Sequence, residues 1–136
     1  MSVEPVVRQN VDAFVDLFKR MRKPSLKSAV RYRTWIDCKT GQLCFAQEGK
    51  LPPQLKNKEW KQLDVTCFYD VELDQVRLEE REPSAISLEP TAVRVFRESI
   101  RAFKEKLGCY SWPKCRNFNN ICEHLGDYVM AVINLN

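Results

Sequence analysis

Histidine is almost missing from this chain: there is one, His124, in 136 residues. Any imidazole-dependent acid–base step would have to run through that position. Long apolar runs are also missing. A membrane-spanning helix needs about 18 to 20 consecutive apolar residues, and no run approaches that length. The opening residues, Met1-Ser2-Val3-Glu4-Pro5, show no basic region followed by an apolar one, so no secretory signal is expected. The six cysteines are accordingly expected as free thiols in a reducing compartment. Internal repeats and low-complexity tracts are absent. Acids are absent from one stretch: between Asp16 and Asp37 stand Lys19, Arg20, Arg22, Lys23, Lys27, Arg31 and Arg33, with no Asp or Glu among them.

What is present bounds the rest. Hydrophobic residues make up 44% of the chain, enough for a packed core and against wholesale disorder. One domain, residues 1–136, is expected, since domains usually hold about 100 to 200 residues. Charge is uneven. Residues 1–60 hold 12 Lys+Arg against 6 Asp+Glu, and residues 61–136 hold 10 against 12. The basic segment 19–33 would attract phosphate, in RNA or in anionic lipid headgroups. Cations at a helix end also suit the negative end of its dipole without any ligand. Tyr32 and Trp35 lie among the bases, placed either to stack on unpaired nucleotides or to pack on a strand face.

Periodicity predicts an amphipathic helix over 5–22, with Val7, Val11, Phe14, Phe18 and Met21 on one stripe, ended by Pro24 and Ser25. Residues 29–36 and 42–47 read as a hairpin around Lys39-Thr40-Gly41. Gly49 to Trp60 reads as a loop. Alternation over 62–71 predicts a half-buried strand, with 75–80 as its antiparallel partner. Val93, Phe96, Ile100, Phe103 and Leu107 predict a helix over 91–107, terminated by Gly108. Asn119 or Asn120 is placed to cap a last helix through Cys122, Leu125, Val129 and Val132. The order α-β-β-β-β-α-α implies an α+β domain, a small antiparallel sheet packed against helices.

A cysteine in the first turn of a helix meets unpaired N–H groups and the positive dipole end, which lower its pKa and favour the thiolate. Cys122 would hold that position, or else act as a small buried residue on an apolar face. Cys109, Cys115, Cys122 and His124 are spaced too widely for a zinc site, and no metal or cofactor is expected. Cys38 and Cys44 flank the hairpin turn, but a reducing compartment argues against a disulfide between them.

The stretch Asn120-Ile121-Cys122-Glu123-His124-Leu125 resembles the Asn-Cys-Glu-His-Phe box of the lecithin:retinol acyltransferase family. That family includes the H-rev-like phospholipase A/acyltransferases and the picornavirus 2A proteins called H-box/NC. The helix ending at Gly108 and the hairpin Arg31–Ala46 resemble the family's elements at the corresponding places. The resemblance implies a papain-like (NlpC-type) fold with Cys122 as nucleophile and Asn120, Glu123 and His124 as the rest of the box. It also locates a departure. The family's catalytic histidine falls at Arg31, its second histidine near Cys44, and the asparagine before the cysteine is displaced by Ile121. Arginine cannot accept a proton, and positions two apart on a helix project about 200° from each other, so His124 cannot serve Cys122.

The cellular phospholipase-type members carry an apolar C-terminal tail, whereas this chain ends Val132-Ile133-Asn134-Leu135-Asn136. The resemblance therefore leans to the viral branch. It implies a catalytically impaired or non-enzymatic protein of the host cytoplasm or of membrane-associated replication sites, acting in viral RNA replication and binding RNA, host or other viral proteins. An active thiol acyltransferase or phospholipase using Cys122, and a plain protein-interaction module, are the alternatives.

Overall fold

The computed structural model describes residues 4–21, 30–50, 60–70, 72, 73, 75–81, 86–107 and 114–134. For 114–117 and 132–134 the description covers the backbone alone. The elements run α1 (Glu4–Met21), β1 (Arg31–Asp37), β2 (Leu43–Gln47), β3 (Trp60–Asp70), β4 (Gln75–Glu80), α2 (Pro90–Leu107) and α3 (Lys114–Asn134). All four strands form one antiparallel sheet in the order β2-β1-β3-β4. The expected α+β class, the element order and both strand pairs agree with this arrangement. Residues 22–29, 51–59 and 108–113, with the expected helix ends at Pro24, Ser25 and Gly108, lie outside the described residues.

Alternation sorts each strand into two faces. Tyr32, Thr34 and Ile36 of β1, Leu63, Val65, Cys67 and Tyr69 of β3, and Val76 of β4 are buried. They face the helices. Arg33 and Trp35, with their cross-strand neighbours Thr66 and Gln62, occupy the other face. The helical layer joins the sheet through an aromatic chain. Phe14 of α1 meets Phe45 of β2 and Phe103 of α2, and Phe118 of α3 meets Phe18 and Phe103, with ring centroids 4.9 to 5.7 Å apart. Offset and edge-on pairs of this kind add about 0.5–1.5 kcal/mol each beyond their area burial.

Two departures from the sequence reading matter. The first is in β3. The register with β1 steps between Arg33 and Thr34, whose partners are Thr66 and Leu63. Asp64 and Val65 are thus extra residues opposite a continuous β1, a bulge that simple alternation does not reveal. The second is in α3. It begins at Lys114, not at Asn119 or Asn120. The earlier start carries Phe118 on the helix, where it is 0% exposed between Phe18 and Phe103. Burying an aromatic side chain outweighs the capping preference of an asparagine, worth about 1 kcal/mol.

A polar staple ties the layers together. Asn10 of α1 is fully buried; its Nδ2 donates to the Gly41 carbonyl at 3.0 Å and to Ser99 Oγ at 2.9 Å. Its Oδ1 accepts the Leu43 amide at 2.7 Å. Ser99 in turn donates to the Val95 carbonyl at 2.6 Å. One side chain thereby fixes α1, the β1–β2 turn and α2 relative to each other. The turn itself is capped by Asp37, whose Oδ1 accepts the Lys39 and Thr40 amides. Gly41 completes it at φ +80°.

Candidate functional site

The longer α3 changes the chemistry of Cys122. The residue sits nine positions into the helix, where its neighbours' amides are engaged in the helical ladder and the dipole end is far away. The expected first-turn placement is therefore corrected, and with it the reason for a lowered thiol pKa. Cys122 is 1% exposed and belongs to the core. Burial pushes its thiol well above the usual range, and the neighbouring Cys67 pushes the same way. Cys67 itself, which approaches Met21 Sδ at 3.6 Å, is pushed up by burial to about 12. Both are free thiols.

The rest of the box turns outward. Asn120, Glu123 and His124 are exposed. Glu123 bonds Lys104 at 2.7 Å, tying α3 to α2, and Lys104 holds its carboxyl below the ordinary value. His124 lines a shallow groove beside β4 with Asn120 and Val76. Arg31 lies on the far face of the sheet, ion-paired with Glu79 and stacked 4.6 Å over the Phe68 ring. Cys122 neighbours Cys67, on the helix-facing side of β3. The sheet stands between them, so the structure does not bring Arg31 and Cys122 together as a site.

The basic set is similarly dispersed. Arg22, Lys23 and Lys27 lie outside the described residues. Of the other four, Arg20 pairs with Asp16 at 3.0 Å, Arg31 with Glu79, and Arg33 with Glu48 at 3.2 Å. Among the described residues only Lys19 of the set has no acidic partner. Tyr32 is buried in the core, and Trp35 is half-buried on the outer face. The outer face alternates charge, with Arg31, Arg33, Asp64, Glu79 and Arg81 around a polar hollow of about 110 Å³.

What the structure does assemble is a groove of about 600 Å³ between α1 and β2. Gln9, Asp12, Ala13, Asp16, Leu17 and Arg20 form one wall, and every residue from Gln42 to Gln47 forms the other. The helix covers about 16 Å from Gln9 to Arg20, and the strand about 17 Å from Gln42 to Gln47, so the two walls run side by side. Sequence reasoning did not find this site. The spacing of Gln9, Asp12, Asp16 and Arg20 at intervals of three and four looks like any solvated helix face. Only the position of β2 at the sheet edge turns that face into a wall.

Comparison with protein-family models, with curated proteins and with solved structures returns no match.

The paired buried thiols carry a pH signature. Their folded pKa values are raised, so they stay protonated in the native protein while the unfolded thiols ionise near 9.0. Their contribution is fully present below that pH and is lost as pH climbs toward about 12 for Cys67. Urea midpoints measured at pH 8, 9 and 10 should fall, with a limiting slope of about 1.4 kcal/mol per pH unit for each thiol. A Cys67→Ala/Cys122→Ala variant should lose most of that slope; an unchanged slope would mean other groups carry it.

Proposed function

We propose that this protein acts by binding and not by thiol chemistry. One observation carries the reading: the residue resembling a family nucleophile, Cys122, is buried in the middle of α3 with its thiol held protonated by burial. A thiol nucleophile needs access, a lowered pKa or an adjacent base, and Cys122 lacks exposure and a lowered pKa. The single imidazole is exposed on another side of the helix. Within the acyltransferase-like reading this favours the catalytically inert branch over an acyltransferase or phospholipase. A papain-like (NlpC-type) assignment would want the thiol at the opening of its helix, and α3 opens at Lys114.

Among binding readings, a protein partner fits better than RNA or a lipid headgroup. Three of the four described bases in segment 19–33 are already neutralised by carboxylates, which lowers the phosphate-attracting potential. The role in replication complexes and host-factor contact that the resemblance implies is retained in its protein-binding half.

The test is thiol reactivity. With iodoacetamide at pH 8, Cys122 should label at least tenfold more slowly in the native protein than in urea, and more slowly than half-buried Cys44. Native labelling of Cys122 ahead of the other thiols would overturn the reading and restore the enzyme. Removing the charges of Lys19, Arg20, Arg22 and Lys23 should leave RNA retention unchanged. A steep salt-dependent RNA affinity that those changes abolish would put the phosphate partner first.

A further inference from the structure

The binding reading above leaves open where a partner docks, and the α1–β2 groove answers it. Among the described residues, β2 pairs with β1 on one side and with no strand on the other. An edge strand presents backbone donors and acceptors that invite another strand, and proteins usually guard such edges with charge, proline or a bulge. The two edges of this sheet differ. β4, Gln75–Glu80, carries Arg77, Glu79 and Glu80. β2, Leu-Cys-Phe-Ala-Gln, carries no charge at all.

The hydrogen-bond register shows which groups face the groove. Asp37 N donates to Gln42 O at 2.9 Å, and Glu48 N donates to Arg31 O at 2.8 Å. Even-numbered residues of this strand therefore point their backbone groups at β1, and Leu43, Phe45 and Gln47 point theirs outward. Two of these outward groups are spoken for: the Leu43 amide donates to Asn10 Oδ1, and the Gln47 carbonyl accepts from the Lys50 amide at 3.0 Å. The N–H and C=O of Phe45 stand between them, at the centre of the groove.

We propose that an extended segment of a partner protein enters this groove as a fifth strand of the sheet, pairing with β2 around Phe45. A residue opposite Phe45 puts its side chain on the helix-facing side, as Phe45 does. It meets the Phe45 ring, Leu17 and the small side chain of Ala13, so it is apolar. A residue two positions along, toward the Leu43 end and away from Lys50 at the Gln47 end, lies on the same face and meets the α1 wall where Asp12 is exposed and has no ion-pair partner among the described residues. That residue is Lys or Arg. The recognised pattern is a basic and an apolar residue separated by one position, held by main-chain bonds that give affinity and two side chains that give selectivity.

The experiment uses the full chain under reducing conditions and a displayed library of random ten-residue peptides. Enriched peptides should carry Lys or Arg two positions from an aliphatic or aromatic residue. Two groove variants, Ala13→Trp to fill it and Asp12→Lys to reverse its charge, lie on the partly or fully exposed face of α1. Their far-ultraviolet dichroism and urea midpoints check that they fold. Binding of a synthesised enriched peptide, followed by fluorescence anisotropy, should weaken at least tenfold in each. Replacing the peptide's basic residue with Glu should restore binding to the Asp12→Lys variant. Amide exchange at Phe45 should slow in the complex.

No enrichment, or enriched peptides indifferent to folded Ala13→Trp, would overturn the proposal. So would a concentration-dependent dimer that Ala13→Trp dissolves, since a second copy would then own the edge. Iodoacetamide labelling of Cys122 on the same samples separates the two readings. Fast labelling sinks the non-enzymatic reading, whereas slow labelling without peptide binding sinks the groove alone.

Discussion

Gly41→Ala should lower stability by about 3 kcal/mol, the sum of a left-handed backbone penalty of about 1–2 kcal/mol and an overpacking cost of similar size. The backbone at Gly41 lies at φ +80°, which side chains with a Cβ rarely adopt. The added Cβ would stand 2.6 Å from the Ala92 carbonyl oxygen and 2.9 Å from Val95 Cβ. The first of these neighbours is helix backbone, so it yields only if α2 moves off the hairpin. Gly49 provides the control. It has the same sign of φ, +87°, but a Cβ there would meet nothing within 4 Å. Gly49→Ala should therefore cost only the backbone part, about 1 kcal/mol. Urea denaturation of both variants separates conformation from contact. Equal midpoints for the two would refute the close approach of the turn to α2.

The second large effect belongs to Asn10. Asn10→Ala should destabilise by about 3 kcal/mol, because it strands the buried Leu43 amide and Gly41 carbonyl, and each orphaned group costs about 1–3 kcal/mol. Asn10→Leu should be no better despite its apolar bulk, since the same groups lose their partners. Ser99→Ala should cost about 1 kcal/mol, because Asn10 Nδ2 keeps the Gly41 carbonyl. In a double-mutant cycle the pair should fall short of additive, as residues in one network do. A loss below about 1 kcal/mol for Asn10→Ala would mean water replaces the staple. Asn10 also takes the first outward amide of β2.

The fold was largely legible in the chain. The stripes of α1 and α2 and the alternation of β1 and β3 each reflect one buried face, and burial of one face is the dominant local demand. The failures have physical causes. Asn119-Asn120 looked like a cap because cap preference is local, whereas the start of α3 is decided by Phe118, whose partners Phe18 and Phe103 lie far away in sequence. In the local pattern Asn10 is one polar residue among the apolar positions of a helix. It is in the core because its three partners come from the turn, β2 and α2, and no local pattern announces a satisfied polar group. The bulge at Asp64 and Val65 is invisible for the same reason, since it exists only relative to β1.

The candidate site divides along the same line. The amino-acid sequence alone determined that any imidazole chemistry depended on His124, and that Cys122 and His124, two apart on a helix, could not face one partner. Those conclusions rest on composition and helical geometry, which need no tertiary information. Only the tertiary structure decided that Cys122 lies within the core, that Arg31 lies across the sheet from it, and that Arg31 and Arg33 are neutralised by carboxylates 48 and 15 residues away. It alone decided that uncharged β2 lies at the edge of the described sheet, beside α1. Burial, ion pairing and edge position are relations between segments distant along the chain, and they come into being when the sheet and the helices pack.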